Sequence, residues 1–261
     1  MPSAADVAAW IGAAAWAPQI AGWVYRRFVT PLVRIIPEKR VSIGFTNYGA
    51  IFNLRVAISS DRLDAVLDQI SVTLEHEGGD RHEFAWISLR ETFSQIVDEQ
   101  GGKQTVERDQ PAIALKVSTA LLSEKFVLFQ EPSYHAARQP VFDRLLEAHN
   151  HLRTTSPAFQ QETLKSKEFF DVIQFNQGRF WWQVGTYTVR FAIRSPNRAK
   201  LNSNTYKFTL LKADVDALRG NLEQLRVDME DRVLAGSAGH TNRPVFWAWR
   251  EPVLSALEPS A

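Results

Sequence analysis

Alternation of apolar and polar positions begins at Val41 and recurs through the middle of the chain. Val41, Ile43 and Phe45 alternate with Ser42 and Gly44, and Asn47-Tyr48-Gly49 reads as a turn. Phe52, Leu54, Val56 and Ile58 then alternate with Asn53, Arg55 and Ala57, which predicts a strand with one buried face. Ile70, Val72 and Leu74 form the next, and Phe84 and Trp86 follow Gly78-Gly79-Asp80. A two-glycine turn would set each apolar set opposite a polar one. A three-residue loop over Gly78–Asp80 with a glycine bulge makes the faces agree, pairing Leu74 with Phe84, Val72 with Trp86 and His76 with His82.

Further along, the polar stretch Asp98–Pro111 reads as a loop. Ile113, Leu115, Val117, Thr119 and Leu121 alternate, and Phe126–Phe129 is a short strand. Pro140 at a first turn opens a helix with Phe142, Leu145, Leu146 and His149 on one face, and Thr154–Gln161 connects onward. Phe169–Phe175 fits either a helix end or a strand. Phe180–Ile193 is the strongest β segment, and Tyr206, Phe208 and Leu210 supply another strand. Asp214 fits a helix N-cap, with Asp216 in the first turn. Val215, Leu218, Leu222, Leu225 and Met229 step by three and four, a heptad seam that either self-associates or packs on the body. Gly236 and Gly239 end that helix.

The predicted fold is mainly β: a β-sandwich, with an N-terminal hydrophobic helix, a helical insertion and a C-terminal amphipathic helix. About seven to nine short strands with turn signals between them favour this over a parallel sheet. Gly185-Thr186-Tyr187 entering a late strand resembles the tyrosine corner of immunoglobulin-like sandwiches. The resemblance covers Val41 to Leu211 and is one of pattern. The chain departs from it in lacking the disulfide and its tryptophan partner, and in carrying the insertion. The boundaries are a helical segment over 1–36, a sandwich over 37–213 with the insertion at about 140–167, the amphipathic helix over 214–235 and an aromatic tail over 236–261.

Ala4–Tyr25 is apolar and ends in Arg26 and Arg27. Its length suits a bilayer span, but Ala and Gly gain little from lipid, and Pro18-Gln19 interrupt it. Basic residues follow the apolar run, unlike a signal peptide. If it spans, Arg26, Arg27, Arg34, Lys39 and Arg40 against Glu38 keep the body in the cytoplasm. Trp16, Ile20, Trp23 and Phe28 also follow helical spacing, with Arg26 and Arg27 elsewhere, which suits a helix lying in the headgroup zone. The third reading buries Trp10, Trp16 and Trp23 on protein, with Phe246-Trp247-Ala248-Trp249 of the tail docking on the body or on this N-terminus.

Composition narrows the function classes. Thirty basic against twenty-nine acidic residues leave +1, with no global field for nucleic acid. With no cysteine, thiolate catalysis and disulfides are excluded. His76 and His82, beside Glu75, Glu77 and Asp80, form the one arrangement resembling metal donors, at a hairpin tip without support. His149 and His151 point about 200° apart on a helix. Asp228, Glu230 and Asp231 read as a solvated helix face. Gly78-Gly79 and Gly101-Gly102 lack the setting of a phosphate loop. The loop Arg194–Lys207 carries Arg194, Arg198, Lys200 and Lys207 without an acid. No catalytic, cofactor or metal residue is assigned. The expectation is a non-enzymatic protein-interaction module, with a protein partner or self-association and with membrane contact through residues 4–36. The alternatives are a structural subunit whose apolar ends other chains cover, or an enzyme acting on an extended polymer.

Overall fold

The computed structural model describes residues 4–97, 103–202, 205–235 and 240–257. Its elements run α1 (Ala4–Phe28), β1 (Leu32–Pro37), β2 (Ser42–Thr46), β3 (Gly49–Asp61), β4 (Ala65–Leu67), β5 (Gln69–His76), β6 (Arg81–Val97), β7 (Lys103–Pro111), β8 (Leu115–Val117) and β9 (Ser123–Gln130). Three helices follow, α2 (Pro132–Thr155), α3 (Phe159–Leu164) and α4 (Lys167–Gly178). Then come β10 (Gly185–Arg194), β11 (Lys200–Asn202), β12 (Thr205–Leu210), α5 (Lys212–Leu234) and β13 (Ser255–Ala256). Among the described residues, eleven strands join one sheet in the order β11-β1-β3-β9-β6-β5-β10-β12-β13, with β2 on β3 and β7 on β6. β4 and β8 form a separate ribbon. The β11–β1 pair is parallel, so the sheet is mixed.

The sheet curls into a half-barrel, rather than splitting into the two facing layers that a sandwich predicts. Phe52 on β3 and Phe208 on β12 are separated by five ladders. At about 4.8 Å per ladder a flat sheet would hold them roughly 24 Å apart. Their ring centroids lie 6.2 Å apart. Phe84 and Phe129 complete this buried aromatic centre, at 6.2 and 6.3 Å from Phe52. Two long strands drive the curl. β3 spends its first half on β2 and its second on β1, and β6 likewise passes from β5 to β7. A bulge at Trp86–Ser88 adds local twist.

The β5–β6 hairpin keeps the expected loop length and face parity but not the register. Leu74 faces His82 and Val72 faces Phe84. The His76 N–H reaches Asp80 O at 2.8 Å, so the loop is Glu77–Gly79. Gly79 takes φ +96°, the left-handed position that ends such a loop. His76 and His82 are therefore not cross-strand partners.

Other expectations move for identifiable reasons. Lys103–Pro111 is a strand, not a loop; its edge position on β6 asks for few apolar residues. Of the alternating run from Ile113, only Leu115 and Val117 are buried, in the ribbon with β4, while Ile113 and Leu121 are exposed. Residues 180–184 leave the ladder because Trp182 Nε1 donates to Gly44 O and Gln183 N donates to the Tyr187 hydroxyl. The insertion opens at Pro132, the first residue of α2; Pro140 lies inside that helix. The expected connector shrinks to Ser156–Ala158, and Phe169–Phe175 is helical. Gly101, Gly102, Gly236 and Gly239 lie outside the described residues.

The heptad seam of α5 is spent inside the molecule. Val215, Leu218, Leu225 and Met229 are buried, and α5 packs on β2, α3 and α4. Asp214 is the third helical residue, not the cap, and accepts from Leu211 N–H at 3.0 Å. The face of α5 beside that seam holds the C-terminal tail. Arg250 pairs with Asp214, Asn221 with Ala248, Gln224 with Phe246 and Asp231 with Arg243. Seven extended steps cover about 23 Å, and the helix from 214 to 231 rises about 26 Å. The tail thus runs antiparallel down the helix in matched length. It then crosses to the sheet. Ile43 and Arg250 exchange backbone bonds at 2.8 and 2.9 Å, Leu254 N donates to Lys39 O, and Ser255–Ala256 pair with β12. These bonds bridge the open side of the half-barrel between β2 and β12.

Asn221 is 1% exposed and holds both polar groups of the Ala248 peptide backbone, at 2.7 and 2.8 Å. Asn221→Ala leaves those two groups without partners and should destabilise the fold by roughly 2–4 kcal/mol. Urea unfolding of the variant checks this. A change within about 0.5 kcal/mol, as at ordinary surface sites, would mean that the tail does not hold the barrel.

Candidate functional site

The residues with chemical promise gather at one end of the barrel. His76 accepts from Gly78 N at Nδ1 (3.0 Å), so its Nε2 carries the proton and donates to Val184 O (3.2 Å). One ring nitrogen thus ties down the hairpin's own loop and the other holds the hairpin to Val184. His82 turns the other way. Its ring stacks on Trp181 at 3.7 Å, and its Nδ1 lies 3.3 Å from Glu131. Glu131 also accepts from Ser133 Oγ and Trp181 Nε1. Burial works to raise the Glu131 carboxyl, but the bonds from His82, Ser133 and Trp181 outweigh it and hold the group below its ordinary value. Behind this cluster the Tyr187 hydroxyl donates to Gln183 O and accepts from Gln183 N, the backbone tie of a tyrosine corner. Burial pushes that hydroxyl up to about 12. Every group here is bonded to a neighbour, so the cluster is a fastening between β5, β6 and the start of α2.

The remaining sequence candidates are structural as well. Asp228, Glu230 and Asp231 are not a solvated face. Asp231 is 7% exposed and binds Arg243 through both oxygens, Glu230 binds Arg226 and Arg243, and Asp228 binds Arg232. His149 meets buried Thr163 of α3, while His151 is exposed on the far side of α2. Glu75 and Asp68 pair with Arg190 and Arg194.

Two of the hollows on the surface bear on these candidates. One, of about 610 Å³, lies between the outer faces of β2, β3 and β9, with Trp247 and Trp249 of the tail on one wall. The Trp249 ring fits because position 44 is glycine; a Cβ there would stand 2.6 Å from it. The aromatic tail thus docks on the body and not on the N-terminal segment. Among the described residues lining this hollow Glu251 is the only acid, so no carboxylate pair for polymer cleavage meets here. A second hollow, of about 490 Å³, sits under the end of α1, between Arg27, Phe28 and the loop carrying Pro196 and Arg198.

The described side chains of α1 are all exposed. Trp16, Ile20, Trp23 and Phe28 are 64%, 59%, 67% and 78% exposed. Burial on the protein's own body is therefore not what these side chains do; that of Trp10 lies outside the described residues. Among the described residues no helix is long and apolar enough to cross a membrane, which corrects the spanning reading. The Ala-rich composition, Pro18 and Gln19 keep α1 below that threshold. Helical spacing made this stripe visible in the sequence. Its setting was not visible, because it depends on long-range pairing. Leu32, just after α1, faces both Asp61 of β3 and Lys200 of β11.

No protein-family model matches the chain, and no curated protein matches its sequence.

The Glu131 charge has a testable signature. Its folded value lies below the ordinary 4.5, so the folded state binds fewer protons there. Its contribution is complete above the unfolded value and is lost as pH falls through the folded one. Glu131→Gln should be less stable than the parent at pH 7, with the gap narrowing below about 4.5. Urea midpoints across that range check it; a constant gap would remove the charge from the explanation.

Proposed function

We propose that this chain is a non-enzymatic interaction module that attaches through its N-terminal helix. One observation carries the reading: α1 leaves Trp16, Ile20, Trp23 and Phe28 in water, while the body buries Trp182, Phe45, Phe52, Phe84, Phe129 and Phe208 almost completely. Covering a large apolar side chain recovers about 1.5–3 kcal/mol. Four such side chains on one helix, three of them in a line, make a surface waiting for a partner. The half-barrel is the scaffold that presents it. Kinship of that scaffold with immunoglobulin-like sandwiches is supported by the Tyr187 corner. The satisfied histidines and carboxylates at the barrel end support a binding role over a catalytic one.

The full chain and a chain beginning at Val29 should share one melting temperature, because the described α1 side chains bury nothing on the body. The full chain should float with membrane vesicles or run as an oligomer in light scattering. The shorter one should do neither. If the full chain is as unbound and monomeric as the truncation, attachment through α1 is wrong.

A further inference from the structure

The stripe on α1 has a direction. At 100° per residue Trp16, Ile20 and Trp23 fall within a 60° arc. Arg27, expected off that face, lies on the same line one turn further, at the end nearest the barrel. The apolar stripe therefore terminates in a cation where the helix meets the body.

More cations surround that point. Leu32 pairs with Asp61 and with Lys200, and Lys200 N donates to Pro31 O. The ends of β3 and β11 are thereby fixed beside the foot of α1. Arg62 follows the first of these strands, and Arg198 precedes the second. Arg27 and Arg198 line the same hollow. Arg27, Arg62, Arg198 and Lys200 are all exposed. Each lacks a carboxylate partner among the described residues, although most other arginines of the sheet are paired. The two acids nearby are engaged: Asp61 with Arg34, and Asp64 with Lys116 and the backbone and hydroxyl of Thr119. Arg194, the last residue of β10, is held by Asp68.

We infer that α1 and this collar together form a docking surface for an anionic lipid bilayer, a conclusion that rests on attachment through α1. Tryptophan beside arginine suits the boundary between headgroups and acyl chains, where the indole is half apolar and half wet. The helix enters that layer along its Trp16–Trp23 stripe. Arg27 extends its stem along the apolar layer and keeps its guanidinium among the phosphates. Arg62, Arg198 and Lys200 meet headgroups around it. An apolar cleft on another protein would leave such a collar without function, and a near-neutral body gives no general attraction to anions. The attraction is local to the foot of α1. A basic residue at an anionic surface strengthens binding about fivefold.

Co-sedimentation of the full chain with two kinds of vesicle tests this: phosphatidylcholine alone, and phosphatidylcholine with phosphatidylglycerol. The expected preference for the anionic vesicles is at least about tenfold at low salt, and high salt removes it. The triple variant Arg27→Gln, Arg198→Gln, Lys200→Gln should lose the preference while keeping the parent's melting curve. Trp16→Ala with Trp23→Ala should weaken binding to both vesicles. Equal binding to both compositions, or a preference that survives the triple variant, would overturn the anionic assignment and leave attachment through α1 standing. Absence of vesicle binding with self-association lost in the Trp variant would assign the helix to a second copy, again overturning this inference alone. Absence of both would overturn the attachment reading as well.

Discussion

The buried amide of Asn221, gripping both polar groups of Ala248, is the contact on which the architecture depends. A curled sheet of this size has an open side, and the edges of β2 and β12 face it with unpaired peptide groups. Buried unpaired groups of that kind are costly. The tail supplies the missing partners: Arg250 and Leu254 bond to the β2 side, and Ser255–Ala256 to β12. An extended tail cannot hold such a position through backbone bonds alone, because ordering each residue costs about 1–2 kcal/mol. The polar face of α5 offsets this. Asp231, Gln224, Asn221 and Asp214 meet the tail at intervals that match its length. The same helix buries Val215, Leu218, Leu225 and Met229 on the adjoining face. One element thus packs the barrel and holds the strap that closes it.

This arrangement separates the molecule into a satisfied part and an unsatisfied one. His76 with His82, the tail tryptophans and the heptad seam all looked like interaction features in the sequence. Each finds its partner within the chain. Among the described residues, α1 and the cations at its foot are features that stay exposed. The functional proposal follows from that contrast.

The legible parts of the fold were those set by local rules. One-sided burial wrote the strands Val41–Phe45, Phe52–Ile58 and Ile70–Leu74 into the alternation. Face parity also fixed the β5–β6 hairpin to within an even shift. Placing Gly79, the residue suited to positive φ, last in the loop would have given the right register. Edge strand β7 was hidden because a polar ribbon leaves no apolar signature. Pro132 and Pro140 both fit a helix start, and only packing decides between them. The acids of α5 read as solvated because nothing local reveals that Arg243, 12 residues further on, lies over Asp231. The Trp stripe was legible and its collar was not, since Leu32, Asp61 and Lys200 meet only through non-local ladders.

Hydrogen exchange of the full chain in solution, read peptide by peptide, is the most direct test of a strapped barrel carrying an unpartnered helix. Amides of Arg250, Leu254 and Leu257 should be protected together with Ile43 and the sheet, opening only with global unfolding. Amides of α1 should exchange as fast as an isolated helix of that length. A rapidly exchanging tail on a protected sheet, or an α1 as protected as the barrel, would contradict this division of the molecule.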